Sequence, residues 1–151
     1  MSRLQTLRTL LEREEGLRDE ALAALRQAQA QMQAAQGQAD AIEQYRTEYH
    51  QRWSTQFQQG GAIEIVRCYH AFVARLDGAL AQAKQSVRQF EGHVQRARDR
   101  VQEREVRVAT VQRLIERQLK HVAATQARRE QKNLDELAQR RRPGAPAFGF
   151  A

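Results

Sequence analysis

Residues 58–61 read Gln58-Gln59-Gly60-Gly61. Paired glycines inside a helical pattern are where a chain reverses, because glycine alone enters the left-handed backbone region without steric cost. On either side runs an apolar seam. Stepping from Leu4 by alternate threes and fours visits Leu4, Leu7, Leu11, Glu14, Arg18, Ala21, Leu25, Ala28, Met32, Ala35, Ala39, Ile42, Arg46, Tyr49, Trp53 and Gln56. Twelve of these sixteen are apolar. After the glycines the steps are Val66, Tyr69, Val73, Leu76, Leu80, Ala83, Val87, Phe90, Val94, Ala97, Val101, Arg104, Val108, Val111, Ile115, Gln118 and Val122. Fifteen of these seventeen are apolar, in one register for eight heptads. A strict period of 3.5 marks a left-handed coiled coil.

Two such helices joined by a short loop make an antiparallel hairpin. The fold expected is therefore all-α: a two-helix coiled-coil hairpin over residues 1–142, with a first helix over 3–57, a turn at 58–61 and a second helix over 62–141. Residues 143–151 are expected to form a flexible C-terminal tail, since Pro143-Gly144 cannot continue a helix. Ser2-x-x-Gln5 has the form of a capping box at the start. The arms are unequal. The second helix should outrun the first from near Gln118, where Thr125, Arg129 and Lys132 take the core steps, and such an unpaired arm is a candidate for docking elsewhere. The rival arrangement is a parallel dimer of continuous helices. Two adjacent glycines would weaken such a rod by roughly 2 kcal/mol per chain, so the hairpin is preferred.

Composition agrees with helices. Ala, Gln and Arg supply 24, 22 and 22 of the 151 residues, against 8 Gly and 2 Pro. That mix excludes a sandwich, a barrel and a βαβ fold. The net charge of +7 allows nucleic acid, anionic lipid or an acidic protein as partner. Basic and acidic residues interleave, so no stripe of one sign is expected. Glu14, Glu15, Glu103 and Glu105 read as surface ion pairs among arginines.

Catalytic chemistry is not expected. There is no phosphate-binding glycine motif. His50, His70, His93 and His121 lack partners at metal-ligand spacing, and the single Cys68 excludes an internal disulfide, so neither metal nor cofactor is expected. A two-helix rod offers no concave site in which to dry out a catalytic group. No apolar run approaches the ~20 residues of a membrane span, and the N-terminus has no signal core, so the chain is expected in the cytoplasm.

Aromatics crowd the turn. Tyr45, Tyr49, Trp53 and Phe57 lie four apart before it, and Tyr69 and Phe72 follow it. With a reversal near Gly60, residue 45 should face about residue 74. Trp53 and Tyr69 read as core filling. Tyr45 and Phe72 lie off the seam and should stay partly exposed, either as flanks of the core or as a protein-binding hot spot.

The ordered motifs carry a resemblance. Ile42-Glu43-Gln44-Tyr45-Arg46-Thr47-Glu48-Tyr49, the turn at Gly60, Tyr69-His70-Ala71-Phe72-Val73-Ala74-Arg75-Leu76, Glu116-Arg117-Gln118 and the run from Arg129 to Arg140 resemble the FliJ family of the flagellar type III export apparatus. The resemblance implies a hairpin similar to the shaft of rotary ATPases and a non-enzymatic job. Such a chain promotes assembly of the export ATPase hexamer, engages the cytoplasmic linker of the export gate protein and handles export chaperones. It would be cytoplasmic, with peripheral association at the inner membrane of the flagellar base. Carried over by position, the gate contact would comprise Gln38, Ile42, Tyr45, Tyr49, Phe72, Leu76 and Ala79, with Ala83 at its edge. The helix ends, Leu4, Leu7 and Leu11 with Arg128, Arg129 and Lys132, would meet the ATPase ring. Alternatives are an injectisome-type secretion stalk, a basic coiled-coil nucleic-acid-binding protein and a plain coiled-coil spacer. Salt-dependent DNA binding with a steep slope would favour the nucleic-acid reading.

Overall fold

The computed structural model describes residues 2–141. It contains helix α1, Arg3–Gln58, and helix α2, Ile63–Arg141, with no strand among the described residues. The tail expected over 143–151 lies outside the described residues.

Local chemistry sets the helix ends. The Gln5 amide donates to Ser2 Oγ at 3.2 Å, and the Ser2 amide donates to Gln5 Oε1 at 3.2 Å. This reciprocal box satisfies two amide donors at the start of α1. At the other end the bonds tighten. The Gln59 amide reaches the Gln56 carbonyl at 3.1 Å, and the Gly60 amide reaches Phe57 at 3.0 Å. Gly60 then turns the chain out with φ +96°. Helix α2 opens on the Ala62 carbonyl, which accepts from the Ile65 and Val66 amides at 3.1 and 3.2 Å. Glu64 in its first turn and Arg140 and Arg141 in its last complement the helix dipole.

A prediction follows from the two kinds of glycine. Gly60→Ala must hold a Cβ at positive φ and is expected to cost about 1–2 kcal/mol. Gly78 lies within α2, and a Cβ there meets nothing within 4 Å. Gly78→Ala is expected to stabilise by up to about 1 kcal/mol through helix propensity. Urea unfolding of the two variants should move their midpoints in opposite directions.

The chain separates into two compact units, residues 17–105 and residues 1–16 with 106–151. In the first, α1 presents buried Ala21, Ala28, Ala35 and Ala39, and α2 presents buried Leu80, Val87, Val94 and Val101. Ala35, Ala39 and Val87 form one cluster, flanked by Ala83 and Phe90. Small residues on α1 thus meet larger branched ones on α2, which is how knobs fill holes when backbones approach closely. Two helices can enclose little: no side chain among the described residues is less than 2% exposed.

In the second unit, Val108 and Val111 are buried, and Leu4, Leu7, Leu11, Ile115 and Gln118 are half-buried. Past Gln118 every described residue of α2 is exposed except the half-buried Thr125. The seam therefore ends where the first helix begins, as the unequal arms require.

The polar surface departs from expectation. Among the described residues the ion pairs are Arg18–Asp19 at 3.2 Å and Arg46–Asp77 at 2.5 Å. Glu14, Glu15, Glu103 and Glu105 are in none. One Glu14 carboxylate oxygen is buried without a hydrogen-bond partner. Glutamines hold other carboxylates instead: Gln36–Asp40, Gln44–Glu48, Gln95–Asp99 and Gln131–Asp135 bond at 2.9–3.2 Å. Each is an i, i+4 pair, the spacing that brings side chains together on a helix face.

Candidate partner-binding surfaces

The aromatic cluster lies in the unit 17–105, beside the turn. Tyr69 occupies a seam step on α2 and is 7% exposed. Its ring is 5.7 Å from Tyr49 (stacked), 6.5 Å from Trp53 and 5.2 Å from Phe57 (edge-on). Its hydroxyl is hydrogen-bonded to His50 Nδ1. A seam step near a turn has few layers above it, so a large ring is needed to exclude water there. Trp53 is half-buried in the same stack. The expectation that Trp53 and Tyr69 fill the core agrees with these positions.

A second layer faces outward. Phe72 lies three residues after Tyr69, off the seam, and packs on Tyr49 with centroids 4.6 Å apart. Tyr45, one turn before Tyr49, meets Tyr49 at 6.2 Å and the edge of Phe72 at 6.4 Å. Tyr45 is 49% exposed, and Phe72 and Tyr49 are half-buried. Behind this layer Arg46 Nε donates to Asp77 Oδ1 and ties the two helices together. That bond and the His50–Tyr69 bond were not foreseen, although both pairs come within reach of each other once the turn is placed. The register is close to expectation: Tyr45 meets Phe72, and Tyr49 and His50 both meet Tyr69, while Arg46 reaches past its facing position to Asp77 with the length of its side chain.

Of the carried-over positions, the structure brings Tyr45, Tyr49 and Phe72 into mutual contact. Ile42 and Leu76 are half-buried, and Gln38 and Ala79 are exposed. In the other unit Leu4, Leu7 and Leu11 are half-buried, and Arg128, Arg129 and Lys132 on α2 are exposed. Leu119, Val122, Leu134 and Leu137 are 45–60% exposed along the same arm. Among the described residues no group of three or more His, Cys, Asp or Glu could hold a metal ion.

The family model described as "Flagellar FliJ protein" matches residues 1–143. The chain belongs to the flagellar FliJ protein family. Membership makes it a type III secretion-associated protein. Among solved structures, CT670 of Chlamydia trachomatis, described as a YscO homologue, is similar with a TM-score of 0.71 and 16% identity. The match covers 97% of this chain and 94% of that one. At that identity the likeness is one of fold. No curated protein matches the chain by sequence. No helix of the described residues is long and apolar enough to cross a membrane.

Proposed function

We propose that this FliJ-family chain is a non-catalytic component of the flagellar export apparatus that promotes assembly of the export ATPase hexamer, engages the cytoplasmic linker of the export gate protein and handles export chaperones. The family match over residues 1–143 carries this reading. Two features support its division of labour. The unit 1–16 with 106–151 presents an arm of α2 whose Arg128, Arg129 and Lys132 are exposed, and this arm docks on the ATPase ring together with the helix start at Leu4, Leu7 and Leu11. The unit 17–105 presents the Tyr45–Tyr49–Phe72 layer, and this layer binds the gate linker, with Gln38, Ile42, Leu76 and Ala79 around it. The working location is the cytoplasmic face of the inner membrane at the flagellar base.

Hydrolysis by the export ATPase from the same organism, measured with and without the purified chain, tests the ring contact. The intact chain should raise hydrolysis and increase the fraction of hexamers seen by electron microscopy. A chain lacking residues 125–151 should do neither. Stimulation that survives the deletion would remove the arm from the ring contact, and no stimulation by the intact chain would remove the ring from the function.

A further inference from the structure

Charge signs alternate along α2, but helical winding sorts them. Arg96, Arg100 and Arg104 are four residues apart and so follow one another along one side of the helix, about 6 Å per step. Arg100 and Arg104 wall a groove of about 210 Å³ in the unit 17–105, lined on the α1 side by Leu17, Glu20, Ala21 and Ala24. One turn on from Ala24, the same side of α1 carries Gln27. The α2 wall thus brings two guanidinium groups and the α1 wall one carboxylate, with Arg96 one step further along the same side of α2, its Nη1 beside Gly92. None of the three arginines is in an ion pair among the described residues. Asp99, beside them on α2, is held by Gln95 at 3.1 Å. Glu103 lies about 100° round the helix from Arg104 and on the row next to Arg100, three residues away, without an ion pair to either.

We propose that this groove binds an acidic amphipathic helix of a protein partner, which lies along α1 and α2 as a third helix. Its carboxylates, spaced four residues apart, meet Arg96, Arg100 and Arg104, and an aliphatic side chain enters the floor made by Leu17, Ala21 and Ala24. The periods match, because a helix presents side chains of one face at the same rise as the arginines that receive them. Guanidinium groups take carboxylates in two-pronged, charge-assisted pairs. The apolar floor and the lack of any Phe, Tyr or Trp between 93 and 104 or between 17 and 27 favour a helix over a nucleic-acid strand, which needs rings for its bases. The site shares no residue with the surfaces assigned to the ring and the gate.

Fluorescence anisotropy of the full chain tests this with a labelled 21-residue helical peptide carrying glutamates every fourth residue beside a leucine stripe. A peptide with glutamine at those positions serves as the control. The acidic peptide should bind and the control should not. Arg96→Gln with Arg100→Gln, both at exposed positions, should weaken binding at least about tenfold. Glu20→Gln removes the one opposing carboxylate and should tighten binding by about two- to fivefold, a gain that a damaged fold does not give. The proposal fails if the glutamine peptide binds equally, if Glu20→Gln leaves affinity unchanged or lower, or if a single-stranded oligonucleotide displaces the peptide with the same arginine dependence.

Discussion

Tyr69→Ala is expected to lose about 3–5 kcal/mol of stability, the range for removing a large buried aromatic. Tyr69 is the point where the rings of both helices meet: it is 7% exposed, with Tyr49, Trp53 and Phe57 all within 6.5 Å between centroids. A two-helix tip has no second layer to collapse into the gap, so the loss falls at the upper part of the range. Tyr69→Phe keeps the ring and removes only the bond to His50, and it should cost about 0.5–1.5 kcal/mol. Tyr45→Ala, at a half-exposed position, should stay within about 1 kcal/mol of the parent. Urea unfolding followed by helical circular dichroism and by Trp53 fluorescence separates the tip from the rest. A Tyr69→Ala variant within about 1 kcal/mol of the parent would mean that the ring stack does not hold the tip.

Much of this architecture is legible in the sequence because a coiled coil stores its packing in a linear period. Of the two seams, the steps that stand exposed are Arg46, Gln56 and Val122. Arg46 is exposed because its guanidinium reaches across to Asp77, and Val122 is exposed because α1 has already begun where it would need a partner. The turn is legible for the same reason: glycines in an otherwise helix-forming chain have few other uses. Pairings across the hairpin are harder. They depend on side-chain length as well as on the turn: Tyr45 and His50 meet Phe72 and Tyr69 near the expected register, while the long Arg46 side chain reaches further, to Asp77. Ion pairing is harder still. Glu105 has arginines only one and two residues away, which point elsewhere on a helix, and Glu103 forms no ion pair although Arg100 and Arg107 lie three and four residues from it, while glutamines four residues upstream found Asp40, Glu48, Asp99 and Asp135. The same winding that separates neighbours collects Arg96, Arg100 and Arg104 on one side, where a reading along the chain sees only alternating signs.

Binding to the gate linker should fall about thirtyfold or more in Tyr45→Ala, if the aromatic layer is the gate contact proposed above. Exposed aromatics that sit on a rigid support are the side chains at which truncation costs about 2 kcal/mol or more in a protein interface. Tyr45 has that setting. Its ring stands 49% exposed against Tyr49 and the edge of Phe72, and Arg46 anchors the same turn of α1 to Asp77. Binding therefore orders little that is not already ordered, and most of the contact energy appears as affinity. Replacing Tyr45, Tyr49, Phe72 and Leu76 together should abolish binding, with part of that loss arising from a looser tip, because Tyr49 is also in contact with Tyr69. The single Tyr45 variant is the sharper probe for that reason. Calorimetric titration with the linker peptide, beside an unfolding curve of the same variant, divides the two effects. Wild-type affinity in Tyr45→Ala would move the gate contact off this face. Lost affinity with an unchanged unfolding midpoint would mean that Tyr45 acts at the partner's surface, since Tyr69 and the seam hold the hairpin without it.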